Sequence, residues 1–146
     1  MTKRLPYSAT PSERFERMYQ AVPLSGCWIW MGALDRDGYG SFFVKGRRFR
    51  AHRFAFEQSR GLVPADKELD HLCRVRCCVN PMHVEPVTHQ VNMLRGDGVA
   101  SENAAKTHCK NGHPFLGGNL AVRAGRRVCK ACDVITSLAY QARRTA

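Results

Sequence analysis

At 146 residues the chain makes one domain or two very small ones. With 44% hydrophobic and 9% aromatic residues it has enough apolar side chain to fold, which excludes disorder over its whole length. Its 23 Lys and Arg against 12 Asp and Glu leave a net charge of +11, a surplus that points to a polyanionic partner.

No stretch approaches the ~18 apolar residues of a spanning helix and no basic amphipathic anchor stands out, so no membrane partner is expected. Met1-Thr2-Lys3-Arg4-Leu5-Pro6 lacks the apolar core of a secretory signal, which points to the cytoplasm. In a reducing compartment seven cysteines are better explained by metal than by disulfides, and an odd number leaves one over in any pairing.

In chain order, residues 1–24 form a helical segment whose pattern runs from Ser12 to Gln20. Phe15, Met18 and Tyr19 make its apolar side, and Ser12 after Pro11 is the expected N-cap. Next come strand-like runs at Cys27-Trp28-Ile29-Trp30, Tyr39 to Val44 and Arg47 to Ala51. Turns at Asp35-Arg36-Asp37-Gly38 and Lys45-Gly46 separate them, which predicts two hairpins and a three-stranded antiparallel sheet. A helix from Arg53 to Ser59 should cover one face. Arg47, Arg48, Arg50 and Arg53 lie on or beside the third strand, as a phosphate-binding surface or a solvated face. His52 either lines that surface or packs under the helix, and packing is the simpler reading.

Residues 66–96 hold the chemistry. Leu69-Asp70-His71 ends a strand-like segment, a cysteine-rich loop follows, and Val84-Glu85-Pro86-Val87 leads into a helix capped by Thr88 and stopped by Gly96. A helix folded back on that hairpin can bring Asn92 opposite Asp70 and His71. Asp70 and Asn92 offer oxygens to a hard divalent ion such as Mg²⁺, and a neutral His71 can take a proton from an attacking water. That set suits phosphodiester hydrolysis. His89 and Arg95, about a helical turn before and after Asn92, can reach phosphate or form a solvated face.

Residues 97–106 read as a linker, and residues 107–146 as a second cysteine-rich unit ending in a basic helix. There Cys109-x3-His113-x15-Cys129-x2-Cys132 sets two short ligand pairs across a Gly-rich hairpin, the donor set of a tetrahedral structural zinc. Arg123, Arg126 and Arg127 add a second candidate phosphate surface. Cys73, Cys78 and His83 surround the central loop, with Cys27 the preferred fourth ligand. Cys77 competes with it, but adjacent Cys77 and Cys78 rarely point at one ion. One to two zinc ions are expected.

Asp70-His71-Leu72-Cys73, Cys78-Val79-Asn80-Pro81-Met82-His83 and Glu85-Pro86-Val87-Thr88-His89 through Asn92 resemble the HNH endonucleases of the ββα-metal type, in the branch common in phages and homing elements. Gly26-Cys27-Trp28-Ile29-Trp30, Gly38-Tyr39-Gly40 and Ala51-His52-Arg53 extend the likeness upstream. With the C-terminal finger it covers roughly residues 26–132. The resemblance implies that His71 is the general base and that Asp70 with Asn92 holds the catalytic metal. It also implies DNA cleavage leaving 5′-phosphate and 3′-hydroxyl ends. Asn92 stands where the simplest pattern has its final His. His83 stands where that pattern has its middle Asn, so His83 either pins the hairpin or binds zinc.

The expected fold class is α+β. A small zinc-braced ββα-metal (HNH) core and the sheet before it occupy residues 25–96, and a C-terminal zinc finger occupies 107–146. The expected function is Mg²⁺-dependent nicking or double-strand cleavage of DNA, taken as duplex. The alternative is a non-catalytic zinc-containing DNA-binding protein, which has no need of Asp70, His71 and Asn92 in this array. An RNA-directed protein ranks last because no stacking motif of the usual RNA modules is present. Neither a target sequence nor an oligomeric state is written in the chain.

Overall fold

The computed structural model describes residues 9–145. The first eight residues of the expected N-terminal segment therefore lie outside the described residues. Two compact units divide between Asn92 and Met93. Among the described residues secondary structure is mixed, with helices and four two-stranded antiparallel sheets. None of the described helices is long and apolar enough to cross a membrane.

The first unit opens with α1 (Pro11–Glu16). Its cap is Thr10, not Ser12. The Thr10 hydroxyl accepts from the Glu13 backbone N–H, and the Glu13 carboxylate accepts from the Thr10 N–H at 2.7 Å. This capping box wins because Pro11, with no N–H to satisfy, fits the first helical position. The helix stops at Glu16, short of the expected Gln20, because the next residues pair as a strand.

That strand is β1 (Tyr19–Ala21), antiparallel to β2 (Trp28–Trp30), with Tyr19 opposite Trp30. Next come the hairpin β3 (Ser41–Val44) and β4 (Arg47–Arg50), then α2 (Ala51–Arg60). The three-stranded sheet expected here does not form. Both edges of β2 are already taken, one by β1 and the other by residues 77–79. The Trp30 N–H donates to the Cys77 carbonyl at 2.9 Å, and the Val79 N–H donates to the Trp28 carbonyl at 2.8 Å. The turn at 35–38 closes on only a single bridge, Leu34 with Gly40. Gly40 is itself a packing position, since a Cβ there would lie 2.7 Å from the Trp30 indole. Lys45 and Gly46 turn the β3–β4 hairpin with positive φ at both residues, as a tight two-residue turn requires.

The core gathers Phe15, Trp30, Phe42, Ala51, Ala55 and Val79. Full burial of each large side chain is worth about 1.5–3 kcal/mol. Helix α2 buries Ala51, His52, Ala55 and Phe56 as one stripe, and Phe56 joins a second cluster with Val63 and Val84. That second cluster seats the hairpin of β5 (Glu68–His71) and β6 (Val84–Val87), where Asp70 faces Glu85 and His71 faces Val84. Helix α3 (His89–Arg95) follows, in the expected order of strand, loop, strand, helix.

In the second unit, α4 (Val99–Ala105) lies within residues 97–106, the segment expected as a linker. A hairpin of β7 (Leu120–Arg123) and β8 (Arg126–Cys129) then leads into α5 (Lys130–Thr145).

Candidate active site and two metal centres

The pairing of β2 with residues 77–79 has a chemical consequence, because Cys27 lies just before β2 and Cys78 sits opposite Ile29. Cys27, Cys73, Cys78 and His83 converge, each offering one ligand atom within 4.8 Å of the others. His83 Nδ1 lies 3.4 Å from Cys27 Sγ and 3.7 Å from Cys78 Sγ. A zinc tetrahedron with bonds of about 2.0–2.3 Å has ligand–ligand edges of roughly 3.4–3.8 Å. The spacing fits that ion. Burial pushes the Cys78 thiol up to about 12, so a thiolate here calls for a dication beside it. Cys77, the competing ligand, packs against the aromatic core instead.

His83 thus lies in the candidate metal cluster, and another residue, Asn80, ties the loop down. Its amide donates to the Gly26 carbonyl at 2.6 Å, and its carbonyl oxygen accepts from the Met82 N–H at 2.9 Å. One side chain thus ties the loop after β5 to the turn that carries Cys27.

In the second unit Cys109, His113, Cys129 and Cys132 converge in the same way. A tight turn closes by Cys109 N–H to the His113 carbonyl at 2.9 Å. Cys109 Sγ lies 3.5 Å from His113 Nδ1 and 3.6 Å from Cys132 Sγ. Around these ligands Asn111 donates to Cys132 Sγ and Asn119 to Cys129 Sγ, the outer support that orients metal ligands. Cys129 is pulled down to about 6, chiefly by a backbone hydrogen bond from Cys132, which favours the thiolate a zinc needs.

Asp70 and His71 end β5 and are both buried. His71 Nε2 lies 2.9 Å from the Cys78 carbonyl. A carbonyl only accepts, so Nε2 carries the proton and Nδ1 keeps its lone pair in the neutral ring. Burial holds the His71 pKa below the ordinary histidine value, against the Cys78 carbonyl and the Asp70 carboxylate, which raise it. Its ring meets His52 edge to face at 4.6 Å and Tyr39 at 5.7 Å. His52, on α2, packs against the Tyr39 and His71 rings with its Nδ1 buried and lacking a hydrogen-bond partner. Burial, with the neighbouring His71 and Arg50, drives its pKa down to about 3.

Asp70 Oδ1 accepts from Arg74 at 2.6 Å, an i,i+4 pair made by a residue with φ of 57°. Asn92 lies on α3, and its Nδ2 donates to Glu68 Oε2 at 2.7 Å. His89 Nδ1 lies 2.9 Å from the other oxygen of Glu68. Both hydrogen bonds hold Glu68 below the usual carboxylate range. With Nδ2 committed, Asn92 has its amide oxygen to offer elsewhere. A carboxylate and an amide oxygen are the donors a hard divalent ion takes, so the donor set fits one. Glu68, Arg74 and Asn80 escaped the sequence reading. Glu68 shares a strand face with Asp70, two residues away, and that period is the signal that could have found it.

Among the expected phosphate contacts, Arg47, Arg48 and Arg50 are exposed along β4, and Arg50 stacks over the Tyr39 ring at 4.4 Å. Arg95 sits in the last turn of α3. In the second unit Arg126 is exposed and Arg123 pairs with Asp133. Arg127 is turned inward. Its guanidinium donates to the carbonyls of Asn103, Ala104 and Lys106 and stacks on Phe115, so it fastens the end of α4 rather than facing a ligand.

A hairpin ending in Asp-His, followed by a helix bearing Asn, defines a class, and comparison with known proteins agrees. Residues 49–94 match the HNH endonuclease family. The chain is 30% identical over 78 residues to the "Uncharacterized gene 5.3 protein" of Enterobacteria phage T3, covering 49% of this chain and 77% of that one. It is 31% identical over 61 residues to "Protein 7.7" of Escherichia phage T7, covering 42% of this chain and 47% of the relative, so it spans about half of that protein. No solved structure matches it. The chain belongs to the HNH endonuclease family.

Proposed function

We propose that the protein is an endonuclease that hydrolyses DNA phosphodiester bonds with a divalent cation, Mg²⁺ by preference, acting on duplex DNA in the cytoplasm of a phage host. The observation that carries this reading is the His71 Nε2 contact with the Cys78 carbonyl, which leaves Nδ1 as a base in a ring that is neutral at pH 7. His71 takes the proton of the attacking water through Nδ1. Asp70 and Asn92 would hold the cation, which would supply neutralisation of the charge developing on the phosphate and the leaving oxygen. Arg74, paired with Asp70, fixes that carboxylate in direction.

Zinc at the Cys27, Cys73, Cys78 and His83 cluster would brace the base indirectly, since Cys78 offers its sulfur to the ion and its carbonyl to His71. Zinc at Cys109, His113, Cys129 and Cys132 would supply folding energy to a unit too small for a full core of its own. The exposed arginines of β4 and Arg126 would grip phosphates. The test is incubation of supercoiled plasmid with zinc-loaded protein, with and without Mg²⁺. Metal-dependent nicked or linear products bearing 5′-phosphate and 3′-hydroxyl ends are expected. Plasmid that stays intact under every divalent cation would leave only a DNA-binding role.

A further inference from the structure

Helix α3 carries Asn92, yet it buries none of its residues, and Asn92 alone in it is not exposed. Apolar packing therefore does little to hold this helix in register. Polar contacts do: His89 and Asn92, three residues apart on one helix face, both reach Glu68 on β5. Glu68 accepts at 2.9 Å on one oxygen and at 2.7 Å on the other, so a single carboxylate clamps the first turn of α3 to the strand that carries Asp70.

The clamp also sets chemistry. An asparagine amide can present either end to a cation site, and only the oxygen can bind a metal. A carboxylate facing Nδ2 can be satisfied only by the NH₂ end, so Glu68 fixes which way Asn92 faces. It acts as an outer-shell group orienting a ligand, and such groups are typically worth 10–100-fold in metal affinity.

We propose that Glu68 is a positioning residue that locks the Asn92 side chain with its oxygen toward the catalytic cation and docks α3 against β5. This rests on the proposed nuclease reading, in which Asn92 and Asp70 hold that cation. The Glu68 side chain is about half exposed, so its removal spares the core.

The test uses zinc-loaded full chain in three forms: wild type, Glu68→Ala and Glu68→Gln. Calorimetric titration with Mn²⁺ in the absence of DNA reads the cation site directly. Plasmid cleavage across a Mg²⁺ series reads it in action. Glu68→Ala is expected to weaken Mn²⁺ binding and to raise the Mg²⁺ concentration for half-maximal rate, each by tenfold or more, with zinc content and melting temperature unchanged. Glu68→Gln, which keeps an oxygen for the Asn92 amide, is expected to recover most of both. Wild-type cation dependence in Glu68→Ala would overturn the inference while leaving the nuclease reading intact. An Mn²⁺-binding deficit equal in the Gln and Ala variants would also overturn it, because charge rather than amide orientation would then be at work. A wild type that binds no Mn²⁺ and cuts nothing would bring down the nuclease reading and this inference together.

Discussion

His52 is the kind of residue that composition cannot interpret and packing can. It is almost fully buried, touches His71 and Tyr39, and lies near Arg50 and Arg53 from the same stretch and Asp35 from the turn before β3. Its folded pKa of about 3 lies well below the ordinary histidine value of 6.5. Below pH 6.5 the unfolded chain therefore binds a proton that the folded chain refuses. Stability rises with pH across that window and falls on acidification toward pH 3, by up to about 1.4 kcal/mol per pH unit for one proton. Zinc release also takes up protons, so the informative quantity is the difference between wild type and His52→Phe. Denaturant unfolding between pH 7 and 5 should show a shallower pH slope in the variant. Equal slopes would mean that His52 accepts a proton in the fold.

The candidate site was more legible in the sequence than its surroundings. Asp70, His71, Asn92 and both Cys/His quartets stood out because chemistry needs those residue types at those spacings. Their partners did not. The choice of Cys27 over Cys77 depends on the pairing of β2 with residues 77–79, a contact some fifty residues apart in the chain. The same pairing is why the expected three-stranded sheet is two separate hairpins. Local propensity also misplaced the first helix. Tyr19 satisfies a helical stripe as read alone, but stacking on Trp28 at 4.7 Å and pairing with Trp30 draw it into a strand. Arg127 looked like a phosphate contact because the sequence shows charge and not direction.

The two candidate metal centres make separate predictions. Cys129→Ser should lose one zinc equivalent and the protease resistance of residues 107–146, while the first unit stays folded. Cys78→Ser should lose the other equivalent and loosen the carbonyl that holds His71, so cleavage should fall even where the chain stays folded. Elemental analysis paired with limited proteolysis separates the cases. Zinc retained in full by either variant would remove that cluster from the metal assignment.

Taken as a whole, the molecule is strongly basic, and its surplus charge meets solvent at identifiable places. Along β4 the side chains of Arg47, Arg48 and Arg50 are exposed while Phe49 is partly buried, so the strand turns its charge outward. If these arginines contact phosphates, the logarithm of affinity should fall linearly with the logarithm of salt concentration. Each contact removed should flatten that slope by about 0.9 on duplex DNA. Replacing all three by Ala should reduce the slope by roughly 2–3 and weaken binding to unrelated sequences alike. An unchanged slope across the salt series would make β4 a solvated face.

The central claim is that His71 is the base of a DNA hydrolase, and one comparison tests it most directly. Wild type and His71→Ala, both zinc-loaded, are measured for single-turnover plasmid cleavage at saturating protein and Mg²⁺, with DNA affinity measured in parallel. The variant should bind DNA as the wild type does and cleave it slower by on the order of 10²–10⁴, the usual worth of a general base. Cleavage by His71→Ala at the wild-type rate would contradict the assignment.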